Sequence, residues 1–300
     1  MDSLVKRRRR TILRPDLECA PCILKWVYER AGILATEQGR FQLIRRISKI
    51  LEKEFDSETN VGALSNRITD SIKEYLSHSA DYYGAIKLRS NQRVRKLLPS
   101  AKKYIEQGRT PQERFKRACR LASASNVAPM TVPGEAFRFQ EAASILTGKN
   151  PSPRLIGDVY GTAQRATRIL YLTDNAGEIG FDSLLIARLR ETGATVNLVV
   201  KEDPFFEDAT MKDALFFSMD KLVDDIFTVD GFFIPDRSTS ELSNIFEKSD
   251  LVIAKGTGNY EALEDQGHGK ATLYMLKVKC HPIASKTGAK IGNFIVKSET

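Results

Sequence analysis

The sequence predicts an α/β protein, with a mostly parallel, Rossmann-like three-layer sheet core and an N-terminal all-helical region. Three observations predict it. Before position 150, apolar residues recur at helical spacing; after it, short apolar runs alternate with helical segments; and Thr147-Gly-Lys-Asn-Pro-Ser-Pro153 separates the two regimes. The expected division is a basic flexible tail at 1–15, a helical region at 16–150 and an α/β core at 151–300.

The helical stripes follow in order. Ile23, Trp26, Val27, Ala31 and Leu34 make one; Phe41, Ile44, Ile47 and Leu51 a second. Val61, Leu64, Ile68, Ile72 and Tyr75 make a third, and Val94, Leu97, Leu98, Ala101, Tyr104 and Ile105 a fourth. Thr110-Pro111-Gln112-Glu113 then reads as an N-cap Thr, a Pro at the first helical position and a Glu closing a capping box. Phe115, Ala118, Cys119 and Ala122 continue that helix. In the second half, strands are expected at 168–172, 196–200, 226–229, 251–254, 272–276 and 293–296. Such near-continuous apolar strands belong to a parallel sheet covered on both faces.

Composition narrows the function classes. Hydrophobic residues at 42%, charged residues at 28% and a mean hydropathy of −0.30 describe a globular chain, not a disordered one. No apolar run approaches the ~18 residues of a membrane helix. The net charge is +8, of which +5 falls within residues 1–14, around Lys6 to Arg10. The remaining body is no nucleic-acid platform, and the Arg run reads as a solvated tail or a polyanion tether. Four cysteines make no disulfide scaffold, and no secretory apolar segment follows the basic cluster, so a cytoplasmic chain with reduced thiols is expected.

In open α/β sheets ligands bind beyond the carboxyl ends of strands, so the polar residues there are the candidates. After the first long run comes Thr173-Asp174-Asn175-Ala-Gly177-Glu178, and after the second Lys201-Glu202-Asp203 and then Glu207-Asp208-Ala-Thr210. After the fourth comes Lys255-Gly256-Thr257-Gly258-Asn259, and after the fifth Lys277, Lys279 and Cys280. Oxygen ligands such as Asp174, Asn175 and Asp208 suit a hard divalent cation. A lysine with glycine-rich backbone beside it, Lys255 with Gly256 and Asn259, suits a phosphate. Asp174 and Asp208 have a plainer reading as helix caps. Gly256-Thr-Gly258 fits neither the dinucleotide fingerprint nor a nucleotide-binding loop.

Four of these stretches together resemble one family. Asp-Asn-Ala-Gly-Glu, Asp-Ala-Thr-Met-Lys-Asp-Ala, Ala-Lys-Gly-x-Gly-Asn-Tyr-Glu and Leu-Lys-Val-Lys-Cys occur in that order, and over residues 16–297 the chain resembles the DUF89 or ARMT1-like damage-control phosphatases, in the archaeal branch with an N-terminal Cys-x-x-Cys. The resemblance implies a divalent metal (Mn²⁺, Ni²⁺, Co²⁺ or Mg²⁺) on Asp174, Asn175 and Asp208, and phosphate binding by Lys255. It implies hydrolysis of small phosphate esters such as sugar phosphates or damaged phosphometabolites. Asp174 and Lys255 are the expected catalytic residues, Asp174 as metal ligand or, alternatively, as nucleophile; Glu178 and Asp213 are expected to support them or to touch substrate. The family's Gly-Asn-x-x-Asp loop corresponds to Ser125-Asn126-Val-Ala128, which keeps only Asn126 as a substrate contact.

Cys19-Ala-Pro-Cys22 has zinc or redox spacing, with Cys280 as a further thiol, but structural packing at a helix start is the alternative. His78, His268 and His281 lack ligand spacing. Two rival functions remain in view: a Rossmann-like group transferase of methyltransferase type, with Asp203 as its acidic residue, and a non-catalytic anion-binding protein resting on the Arg run.

Overall fold

Local sequence accounts for the helices of the first half. The computed structural model describes residues 14–31, 35–76, 81–126, 137–149, 153–204, 206–264 and 268–300. Its first helices are α1 (Cys19–Arg30), α2 (Glu37–Glu54), α3 (Val61–Leu76), α4 (Asp81–Glu106), α5 (Pro111–Ala124) and the short α6 (Gln140–Leu146). Thr36 caps α2 by accepting from Gly39 N at 3.2 Å, and Thr110 caps α5 by accepting from Glu113 N at 3.1 Å. The expected box is half closed, because Glu113 accepts from Arg109 N at 2.7 Å instead of from Thr110 N. One stripe is rotated. Leu43, Ile47 and Leu51 form the buried face of α2, which leaves Phe41 63% exposed, two residues and therefore half a turn away from Leu43. The Arg run, Leu34, His78 and Ala128 lie outside the described residues.

Among the described residues, one sheet contains β1 (Arg154–Ile156), β2 (Arg168–Leu172), β3 (Thr195–Lys201), β4 (Asp225–Val229), β5 (Leu251–Lys255), β6 (Ala271–Lys277) and β7 (Phe294–Glu299). Its order is β1-β7-β6-β5-β2-β3-β4. The six expected runs are all strands. The seventh, β1, is a half-exposed edge of three residues, too short to show a period. All pairings are parallel except β6 with β7, so β7 and its parallel neighbour β1 run against the other five. The intervening helices are α7 (Val159–Gln164), α8 (Glu178–Arg190), α9 (Met211–Phe216), α10 (Ser240–Lys248), α11 (Gly256–Glu264) and α12 (His281–Thr287).

The chain runs from β2 outward to β3 and β4, then returns to place β5 on the other side of β2. That reversal is the topological switch point, and it opens a crevice between the carboxyl ends of β2 and β5. One sheet face is packed by α5 and α8, with α4 against both helices, and Val94, Phe115 and Phe181 join Ile169, Tyr171 and Val196 in a single apolar core. The opposite face carries α10, α11 and α12, with Leu242, Tyr260 and Ile283 against Leu170, Val252 and Leu276. The helical region therefore divides: α4 and α5 are a layer of the sandwich, whereas α1 to α3 have their own core around Val27, Ile47 and Ile68 and reach the sheet layer where α3 meets α11. The change near residue 150 is one of secondary structure, not of core. No helix among the described residues is long and apolar enough to cross a membrane.

Candidate active site

Two loops are tied together by backbone before any side chain is considered. Ala209 N donates to Asp174 O at 2.7 Å and Ala176 N donates to Glu207 O at 2.9 Å, making an antiparallel bridge between Asn175 and Asp208. The segments after β2 and β3 are thus held in one register, with Asp174, Asn175 and Asp208 together at the crevice. The turn after β5 joins them through Asn259, whose Nδ2 donates to Thr173 O at 2.9 Å and to Lys255 O at 2.7 Å. Gly256, at φ +80°, passes so close to Asp174 that a Cβ there would lie 2.1 Å from Oδ2.

The plain capping reading of the two aspartates does not hold. The N-cap of α8 is Gly177 and that of α9 is Thr210, which forms a capping box with Asp213. Asp174 Oδ2 instead accepts from Asn126 Nδ2 at 2.6 Å and from Asn175 Nδ2 at 3.0 Å. The same two amides reach Glu178, Asn175 at 2.7 Å and Asn126 at 3.2 Å. Asn126 comes from the end of α5 and also accepts from Lys277 N at 3.0 Å, so it connects the helical layer, β2 and the end of β6. Ser125 is spent locally, donating to Ala122 O at 2.8 Å.

Two buried lysines flank the acidic groups. Lys255 Nζ lies 2.8 Å from Asp182 Oδ1 and 3.3 Å from Glu178 Oε2, with no exposed surface on any of the three residues. Lys201 Nζ donates to Gly231 O at 2.6 Å and stands 3.5 Å from Asp208 Oδ2. Nearby Glu207 and Asp213 have their own partners, Arg30 at 3.0 Å and Lys87 at 2.9 Å. Asp174, Glu178, Asp182 and Asp208 against Lys201 and Lys255 leave a buried cluster with two more negative than positive charges when all six ionise. Burying unbalanced charge costs several kcal/mol per ion, so the cluster favours protons or a cation. Burial, only partly offset by Lys255, pushes Glu178 up to about 8, and burial offset by Lys201 pushes Asp208 up to about 7.

A divalent cation fits this donor set. Asp208 Oδ2 is buried and accepts no hydrogen bond, and the Asn175 N–H groups are directed to Asp174 and Glu178, away from its carbonyl oxygen. Among the described residues no three His, Cys, Asp or Glu side chains are arranged to hold a metal, so an oxygen site here draws on the Asn175 amide beside the two aspartates.

The structure brings together every expected oxygen and phosphate residue: Asn126, Asp174, Asn175, Glu178, Asp208, Lys255, Gly256 and Asn259. Two of them, and Asp213 beside them, differ from expectation in what they do. Lys255 is enclosed and ion-paired instead of standing open at the sheet edge; Asn259 commits both amide hydrogens to backbone carbonyls; and Asp213 faces Lys87 and the Thr210 cap. Asp182 was not anticipated, although its position four residues after Glu178 puts both on one helix face. Lys87 and Asn91, 86 residues or more upstream of their partners, carry no sequence signal that links them to these loops. The transferase alternative lacks a glycine loop, since a Cβ on Gly177 would meet the Phe139 ring at 2.6 Å.

The thiols form a different neighbourhood. Glu18, the N-cap of α1, accepts from His281 N at 2.8 Å and pairs with its ring, which places Cys19 and Cys22 near Cys280 at the start of α12. Burial, with Glu261 nearby, raises all three thiols, Cys280 up to about 12. Glu261 is itself pushed up to about 7 by burial, with Lys279 pulling the other way. His268 is structural: its Nδ1 accepts from Lys270 N at 3.2 Å and its ring meets Phe246 edge-on.

Known proteins share both the sequence and the architecture. Residues 16–294 match the family described as the damage-control phosphatase ARMT1-like domain. A damage-control phosphatase of Archaeoglobus fulgidus is 31% identical over 285 residues, covering 93% of this chain and 97% of the relative. One from Pyrococcus horikoshii is 27% identical over 277 residues, covering 91% and 93%. A crystal structure of a DUF89 family protein from Pyrococcus horikoshii superposes with a TM-score of 0.79 at 24% identity, covering 94% of this chain and 98% of that one, and so shares the fold. With the strand-end motifs gathered in one crevice and the family match spanning nearly the whole length, the chain belongs to the ARMT1-like damage-control phosphatase family.

Proposed function

We propose that this chain is a divalent-metal-dependent phosphatase that hydrolyses phosphate esters of small metabolites, such as sugar phosphates, in the crevice beyond β2, β3 and β5. One observation carries the reading: four buried carboxylates face two buried ammonium groups at the switch point, an imbalance that a divalent cation complements. The names of the relatives support the reaction class.

Asp174, Asn175 and Asp208 would hold the cation, which when bound supplies positive charge to the oxygens of a phosphoryl group. The chain's own residues do the rest. Asn126 and Asn175 orient the Asp174 carboxylate, and the bridge to residues 207–209 fixes its distance from the second aspartate. Lys255 holds the Glu178 and Asp182 side chains in place and supplies a buried positive charge to the crevice that would stabilise a phosphoryl group. Close-packed walls around these groups exclude water and strengthen every such interaction.

The test is hydrolysis of p-nitrophenyl phosphate and a panel of sugar phosphates with and without Mn²⁺, Co²⁺, Ni²⁺ or Mg²⁺. Metal-stimulated turnover is expected, abolished in a folded Asp208→Ala variant. Wild type without hydrolysis under any metal, or full activity in Asp208→Ala, overturns the proposal.

A further inference from the structure

Helix α4 buries polar side chains in mid-helix. Lys87 is 6% exposed, Ser90 0% and Asn91 3%, on the face turned toward the starts of α8 and α9. A buried amide or ammonium is costly unless its hydrogen bonds are made, and apolar residues would pack there at no such cost. Lys87 and Asn91 find their partners in the two loops that carry the candidate metal ligands. Asn91 Oδ1 accepts from Gly177 N at 2.7 Å, two residues beyond Asn175. Its Nδ2 donates to Asp213 Oδ1 at 2.7 Å. Asp213 in turn accepts from Thr210 N at 2.8 Å, two residues beyond Asp208. Lys87 touches only the second loop, at Asp213 and Thr210.

We infer that Asn91 is a positioning residue for the cation site: one amide, contributed by the helical layer, bonds both ligand-bearing loops and, from behind the backbone bridge between them, holds them in the register that brings Asp174 and Asn175 to Asp208, without touching the cation. The inference rests on the proposed metal site. An amide suits this place because its carbonyl oxygen accepts on one side while its NH2 donates on the other, at a reach a short hydroxyl lacks. The helical half is by this account a structural part of the site and not a cover over it.

The test is calorimetric titration of the full-length protein with Mn²⁺ alone. Asn91→Asp keeps the acceptor for Gly177 N but sets an oxygen against Asp213, and the expected loss is about 10- to 100-fold in affinity, as for other residues that support metal ligands. Adding Asp213→Asn puts the missing donor on the opposite side, and the double variant is expected to recover most of the loss. Val94→Ala, a core truncation one turn along α4, is the control: it lowers the melting temperature and leaves the Mn²⁺ affinity unchanged. Should Asn91→Asp not fold, Asn91→Ser, which shortens the reach to both loops without adding charge, carries the same expectation. Wild-type affinity in the single variant, no recovery in the double, or an equal loss in Val94→Ala overturns the inference while leaving the phosphatase reading intact. A wild type that binds no divalent cation overturns both.

Discussion

Replacing Gly256 by Ala tests whether the Asp174 carboxylate has to stand where the fold puts it. At φ +80° an alanine pays about 1–2 kcal/mol for the left-handed backbone. Its Cβ would lie 2.1 Å from Asp174 Oδ2 and 2.2 Å from Cγ. Heavy-atom contacts of this kind settle near 3.5 Å, so the carboxylate has to retreat by about 1 Å or more. Retreat breaks or stretches the bonds from Asn126 and Asn175, and one hydrogen bond to a charged group is worth about 1.5–3 kcal/mol. The expected destabilisation is therefore about 2.5–5 kcal/mol, read as a lower urea midpoint with unchanged slope. A misplacement of about 1 Å at a reacting centre costs on the order of a hundredfold in rate, so kcat/KM on a phosphate ester should fall by about that factor, with weaker Mn²⁺ binding in the same titration. A variant that is destabilised as calculated yet binds Mn²⁺ and turns over like wild type would refute the reasoning, because Asp174 would then be free to move without consequence.

Lys255→Met removes the ammonium from two fully buried carboxylates, and breaking such a pair costs about 3–5 kcal/mol, visible in the same urea titration. Phosphate-ester hydrolysis should fall by at least about a hundredfold, and an unchanged rate would take Lys255 out of the mechanism. Glu261 concerns stability alone. Its folded-state value of about 7 lies above the ordinary 4.5, so the folded protein binds that proton more tightly than the unfolded chain does, and this contribution is lost as pH rises through about 7. Between about pH 5 and 8 wild type should lose up to about 3 kcal/mol that Glu261→Gln does not lose, measured as the difference between their stability profiles; parallel profiles would place Glu261 in water.

Much of this site was legible along the chain because α/β sheets deliver strand-end residues to a common edge. Once 168–172 and 251–254 are read as parallel strands, Asp174 and Lys255 have to emerge on the same side, whatever the packing around them. The cap at Thr110 and the switch of period near 150 are likewise local properties, set by a few neighbouring residues. The stripe at Phe41 shows where local reading fails: an apolar residue marks a candidate face, and only the neighbouring helices decide which face is covered. The same holds for charge. The sequence shows Lys255 and Glu178 as polar residues near a crevice, but their enclosure with Asp182 depends on the first turns of α8 meeting the end of β5. Asn91 reaches Gly177 and Asp213 across 86 and 122 residues of chain. The sequence by itself determined the fold class and which strand ends carry the chemistry, because period and strand direction are short-range. The charge balance at the site, and which groups hold its loops in register, were decided by tertiary structure alone, because burial and hydrogen-bond partners come from segments that meet only when the layers pack.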